Sequence, residues 1–401
     1  MLPFLPTVSL ALLQAFSAEA GQPALENADL EGYRVALLDQ AFQAASAMPV
    51  HPHIKDRSKA QEQVVVTALA LDQPARALEY IAGIENWRRG AGYADVAAYC
   101  AHHGLQDQVE PHLQLAQAIV DGPWEVTDQA WRRERIMAKI ASARWIMGEA
   151  EAAQQIASEI DSSEAAQVQA AAARFGSIES FDDEIAALRE VAEIGGFERK
   201  QIGLKACIEL YERFYSDGKR RGKVVVTIEN LWDKIPVQVR LETLMEMATI
   251  STELGDHQRA VATLDKAQSL YDSIAWSAEF GIPWLGHLAR AYAKAGEPDG
   301  AVQRVEDALR LFETQEKTIL GIDRCDVLLP LAEALAVAGR GDHALEIYRR
   351  ALELGAANPN ARPRAHDLIS VCCSLARMDA SPGPELTDRI GEILVGLEDP
   401  W

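Results

Sequence analysis

Three stretches decide the fold: Thr243–Leu270, TLMEMATISTELGDHQRAVATLDKAQSL; Trp284–Leu311, WLGHLARAYAKAGEPDGAVQRVEDALRL; and Leu328–Leu354, LLPLAEALAVAGRGDHALEIYRRALEL. Each carries a glycine between two apolar-periodic runs, at Gly255, Gly296 and Gly339, with spacings of 41 and then 43 residues. Eight residues before the glycine stands Met247, Leu288 or Leu331, and seven before stands Ala248, Ala289 or Ala332. Five after it comes Ala260, Ala301 or Ala344, nine after Leu264, Val305 or Tyr348, and twelve after Ala267, Ala308 or Ala351. Apolar residues at helical spacing on both sides make each stretch two amphipathic helices. The glycine supplies a left-handed end to the first helix. Asp256, Pro298 and Asp342 favour the start of the second. The recurring alanines mark places where two helices approach closely.

Working outward, the whole chain agrees with such an array. Its 401 residues exceed one compact core, so several domains or a repeat stack are expected. Apolar residues are 48% and charged residues 25%, the profile of a folded chain. Aromatics are 6% and alanine is abundant, which favours close helix packing over a β-sandwich. The net charge of −21 would repel phosphates, so nucleic acid is not an expected partner.

These residues carry a resemblance to the tetratricopeptide repeat family. Its Leu/Ala…Tyr…Gly…Ala…Ala pattern matches Leu288, Ala289, Tyr292, Gly296, Ala301 and Ala308, and its late aromatic matches Tyr348. The family's opening Trp is missing, Leu285 standing at that position, and its closing Pro is not found. The period also exceeds the family's usual ~34 residues, which makes this a long-period, degenerate member. The resemblance implies an all-α, right-handed solenoid of stacked antiparallel helix pairs. It further implies a concave face lined by first-helix side chains, which holds peptides or partner helices. Carried over by position, those slots are Glu242, Met245, Thr249, Thr252, Glu253, Arg290, Lys294 and Glu333. The mix is polar with both signs of charge. The basic clamp some members use on chaperone carboxylates is absent from it.

Upstream the same template fits with Asp72 in the glycine slot, then on Gly104 and Gly148. It fits poorly on Gly176 and Gly218, where helix pairs are expected without the motif. The expected organisation is a signal peptide at 1–20, an N-terminal extension with one helix at 21–55, a repeat array at 56–360 and a capping helix pair at 361–401. The signal reading rests on the short apolar run Leu10–Phe16 and on Ala18-Glu19-Ala20 before Gly21; the n-region lacks Lys and Arg. It implies a periplasmic or extracellular protein, and an ordinary first helix implies a cytoplasmic one. No run is long enough for a membrane span.

No catalytic constellation is legible. There is no GxSxG, HExxH, CxxC or GxxxxGK[ST], and Gly218–Lys223 has the wrong glycine spacing for the last. Five scattered cysteines, Cys100, Cys207, Cys325, Cys372 and Cys373, read as buried thiols. His51, His53 and Asp56, with His102 and His103 elsewhere, offer too few converging ligands for a metal. Lys219, Arg220, Arg221 and Lys223 read as a solvated turn or an anion patch. Val224–Val226 reads as buried helix. Trp87 and Trp131, each followed by arginines, read as wedges between repeats. Neither a cofactor nor a metal is expected. The expected function is a non-enzymatic, protein-binding scaffold that uses its groove. The alternative is an α/α-toroid enzyme acting on a glycan or other polymer, hinted at by the loops near Trp124 and Trp276. A regulatory sensor module that has lost its effector finds no support at either end.

Overall fold

A computed structural model describes residues 25–124, 129–176, 181–232 and 235–401. The expected signal at 1–20 lies outside the described residues. These residues form helices and no strand. In chain order the helices are α1 (Gly32–Ala47), α2 (Val50–Ala70), α3 (Pro74–Ala82), α4 (Arg88–His102), α5 (Gln106–Val120), α6 (Ala130–Ile146) and α7 (Ala150–Ala157). Then come α8 (Ala165–Phe175), α9 (Phe181–Ile194), α10 (Phe197–Arg213), α11 (Gly218–Leu231), α12 (Val237–Glu253) and α13 (His257–Asp272). The last six are α14 (Ala278–Lys294), α15 (Pro298–Gln315), α16 (Arg324–Val337), α17 (Gly341–Ala356), α18 (Ala361–Arg377) and α19 (Gly383–Val395). From α2 onward they read as helix–turn–helix pairs, a helical repeat solenoid.

The turn inside each pair follows from one backbone requirement. Asp72, Gly104, Gly148, Gly255, Gly296, Gly339 and Asp379 all have positive φ, between 52° and 94°. Each follows the first helix of its pair, and the next residue's N–H bonds back five residues to close the helix end. Asp256 N to Ser251 O is 2.8 Å, Glu297 N to Tyr292 O is 2.9 Å and Arg340 N to Leu335 O is 2.9 Å. The second helix then starts on local chemistry. The Asp256 carboxylate accepts from Arg259 N at 3.1 Å, and Pro298 sits in the first turn of α15. Neither Gly176 nor Gly218 has positive φ, so the two pairs between α8 and α11 turn by other means.

First helices pack on first helices in succession, from α2 on α4 through to α16 on α18. Apart from α9 on α11, successive second helices touch little. The layer whose members crowd one another has the smaller circumference, so the first helices form the inner layer. Small residues permit the crowding. Ala248, Ala289 and Ala332 of the first helices are buried, and a Cβ on Gly286 of α14 would fall 2.7 Å from Pro330 Cβ of α16. Val224 is buried within α11, whereas Val226 is 49% exposed, so the valine run is a half-buried helix.

The ends of the stack meet. Helix α1 lies along α18 more extensively than α19 does, and α18 also touches α2. Tyr33 donates to Asp379, Arg34 Nε donates to Ala376 O at 2.8 Å, and Arg362 pairs with Asp56 at 3.0 Å. One apolar core runs through this junction, joining Leu37, Leu38 and Ala41 to residues of α18. A smaller cluster, from Ala173 to Ile250, fills the arc around α10 and α11. The expected 21–55 extension contributes α1, which packs along α18, and the expected capping pair at 361–401 comprises α18 and α19. A cap keeps a polar outer face. Helix α18 instead buries Leu368, Ile369, Val371, Cys372, Cys373 and Leu375, which α1 and α16 must cover from two sides. The chain leaves α1 at Met48-Pro49, and His51 and His53 are non-helical within α2.

Candidate binding groove

Helices α12 and α14 turn side chains to the inner face, and the seam between them holds an open cavity of about 410 Å³. It is lined by Glu242 and Met245 of α12 and by Glu279, Phe280, Pro283, Trp284, His287 and Arg290 of α14. None of these belongs to the outer helices α13 and α15. Gly281 and Ile282 of α14 are buried, which leaves Phe280 exposed and Pro283 and Trp284 half-buried along the cavity wall. Phe280 is 61% exposed, a large apolar surface with no intramolecular cover. Trp284 and His287 meet edge to face at 6.0 Å. Burial, and then the Arg290 charge, push His287 down to about 4, so its ring is neutral near pH 7. Glu242 and Glu279 leave the rim acidic.

Arg290 joins the cavity to a buried network. It pairs with Glu333 of α16, which also meets Arg377 of α18 at 3.2 Å and accepts from Ser374 Oγ at 2.6 Å. The Tyr348 hydroxyl contacts Ser374 Oγ at 2.8 Å. Burial alone would raise the Glu333 pKa. Arg290, the Ser374 hydroxyl and Arg377 outweigh it and hold the carboxyl below its ordinary range. The same device recurs across the inner layer. Buried Glu62 of α2 pairs with Arg88 of α4 and, at 3.3 Å, with Arg135 of α6; Asp95 pairs with Lys139; Arg174 of α8 pairs with Glu212 of α10 at 2.7 Å. These bridges link consecutive repeats without presenting free charge to a ligand.

The structure brings together three of the residues expected in the groove, Glu242, Met245 and Arg290. Thr249, Thr252 and Glu253 lie farther along α12, and Lys294 lies at the end of α14. Thr252 gives its hydroxyl to Ala248 O at 3.0 Å. Glu333 is buried in the network just described and offers nothing to the surface. Phe280, Pro283, Trp284 and His287 were not among the expected residues. A Phe and a Trp four apart at the start of a first helix, around a proline, are the signal that marks them.

Other sites named from the sequence resolve into packing. Trp87 and Trp131 meet edge to face at 5.4 Å, joining the starts of α4 and α6, with the Arg88 guanidinium 4.6 Å from the Trp87 ring. Lys223 pairs with Asp182 at 2.6 Å, Arg220 lies over Phe214 at 4.9 Å, and Arg221 lies over Tyr215 at 4.8 Å. His103 stacks on Tyr99, and His102 lies against Phe175. Asp56 pairs with Arg362 at 3.0 Å and lies 4.0 Å from His53. All five cysteines are buried and free. No described helix is long and apolar enough to cross a membrane.

No family model and no curated protein matches the sequence. Among solved structures, a "circular tandem repeat protein with novel repeat topology and enhanced subunit contact surfaces" is similar at 13% identity. The alignment covers 91% of this chain and 95% of that one, with a TM-score of 0.23.

Proposed function

We propose that this protein is a non-enzymatic scaffold of the tetratricopeptide-like class that holds an extended segment or helix of another protein on its inner face. The observation that carries the reading is the α12–α14 cavity, where Phe280 stands exposed and half-buried Trp284 lines the wall beside Met245, with two carboxylates in the lining. Exposed aromatic surface in a concave seam is what a bound side chain buries with most gain. Glu242 and Glu279 add attraction for a segment that places Lys or Arg next to its apolar anchor. The ion pairs lining the rest of the inner layer are already satisfied, so they exclude water and set register rather than supply affinity.

The test uses the full chain with a photo-crosslinking amino acid at position 280, and at outer-layer position 226 as control, in an extract of the native host. A partner captured at 280 and not at 226 is then purified and its affinity measured. Phe280→Ala/Trp284→Ala is expected to weaken that affinity at least tenfold with unchanged helicity. Equal affinity for the variant, or equal capture at both positions, contradicts the reading.

A further inference from the structure

We propose that Asp326, His366 and Asp367 form a site for one divalent transition-metal cation, in the seam between α16 and α18. Asp326 is in the first turn of α16, and His366-Asp367 lie one repeat later in the second turn of α18. His366 Nδ1 is 3.9 Å from Asp326 Oδ2 and 4.0 Å from Asp367 Oδ1, and all three ligand atoms lie within 4.8 Å of one another. An ion at ~2.1 Å from each donor needs them roughly 3–4 Å apart. Small rotations of the half-exposed Asp326 and His366 side chains reach that spacing.

The independent observation is charge left uncompensated. Among the described residues, this inner layer holds three buried carboxylates, Glu62, Glu333 and Asp367. Glu62 and Glu333 are each bridged by two arginines. The Asp367 side chain is 2% exposed, and among the described residues no Lys or Arg pairs with it. Its Oδ2 accepts from Asn358 Nδ2 at 3.1 Å, and its Oδ1 faces His366. Its charged neighbours include further acids, Asp326 and Asp323. A buried carboxylate among acids is costly until a cation or a proton joins it. The pocket is also shaped for that carboxylate. A Cβ on Gly355 would lie 2.7 Å from Asp367 Oδ2, so only glycine leaves it room, and Asn358 fixes its orientation as an outer partner.

The donor set names the ion class. One imidazole and two carboxylates suit Zn²⁺ or Mn²⁺, not an all-oxygen Ca²⁺ cage or a thiolate site. Three protein donors on a half-exposed seam leave coordination positions for water or for an acidic group of a partner.

The full chain, stripped with chelator, is titrated calorimetrically with ZnCl₂ and separately with MnCl₂, alongside Asp326→Asn/His366→Ala. Both changes fall on exposed side chains, and circular dichroism checks the fold. One saturable site on the unaltered chain, weakened at least tenfold in the variant, is expected. Absence of saturable heat with either ion up to millimolar concentration, or equal binding in the variant, overturns the assignment.

Discussion

Asp367 illustrates how one residue's surroundings rewrite its chemistry. Burial first, and then the Asp326 charge, push its carboxyl up to about 8, against ~3.9 in an unfolded chain. Between those values the folded chain binds the extra proton, so stability falls as pH rises. In chelator-containing buffer, urea unfolding from pH 5 to pH 8 is expected to show the unaltered chain losing stability steadily relative to Asp367→Asn. A pH-independent difference contradicts this. None of it was legible in the sequence, because Asp326 and Asp367 are ordinary helix residues until stacking places them side by side. Glu333 gives the same lesson in reverse. Its slot in the first helix suggested a groove residue, yet arginines from the flanking repeats draw it inward. The slots of α12 and α14 were more informative, since Glu242, Met245 and Arg290 do share a cavity.

At the scale of the helix pair, the sequence is close to explicit. Glycine or aspartate in one slot sets the left-handed turn, and alanines two turns apart set the crossing. The pattern therefore marks α2–α7 and α12–α17 as pairs. Between α8 and α11 the slot lacks a positive φ, the sequence pattern fades, and only helix periodicity remains. The crossing rule has a direct consequence. Ala301 of α15 is fully buried against α14, and a leucine there overfills the contact. Ala301→Leu is expected to lower stability by ~1–3 kcal/mol. Urea unfolding reads this as a lower midpoint with an unchanged slope, and an unchanged midpoint would remove the packing argument.

For the whole molecule, the sequence offered closure only through the toroid alternative, and the leading expectation was a capped stack. Each repeat adds a small rotation, and no single residue records whether the rotations sum to a circuit. The clue was indirect: every residue of α18 from Asp367 to Ala376 is buried, so the helix cannot be an end. Closure explains why α1 belongs to the stack, why one core runs across the chain termini, and why the inner face is enclosed rather than a long open groove. It also limits a partner to what reaches the ring interior or its rim, where Phe280 stands.

The most direct test places spin labels at exposed Glu31 and Ser381, by encoded amino acids that leave the buried cysteines untouched, and measures their separation by electron–electron double resonance. The closed stack predicts one short, narrow distance, because Tyr33 and Asp379 lie between the labels and bond to each other. A broad distribution at long distance, as an open solenoid gives, would contradict the account.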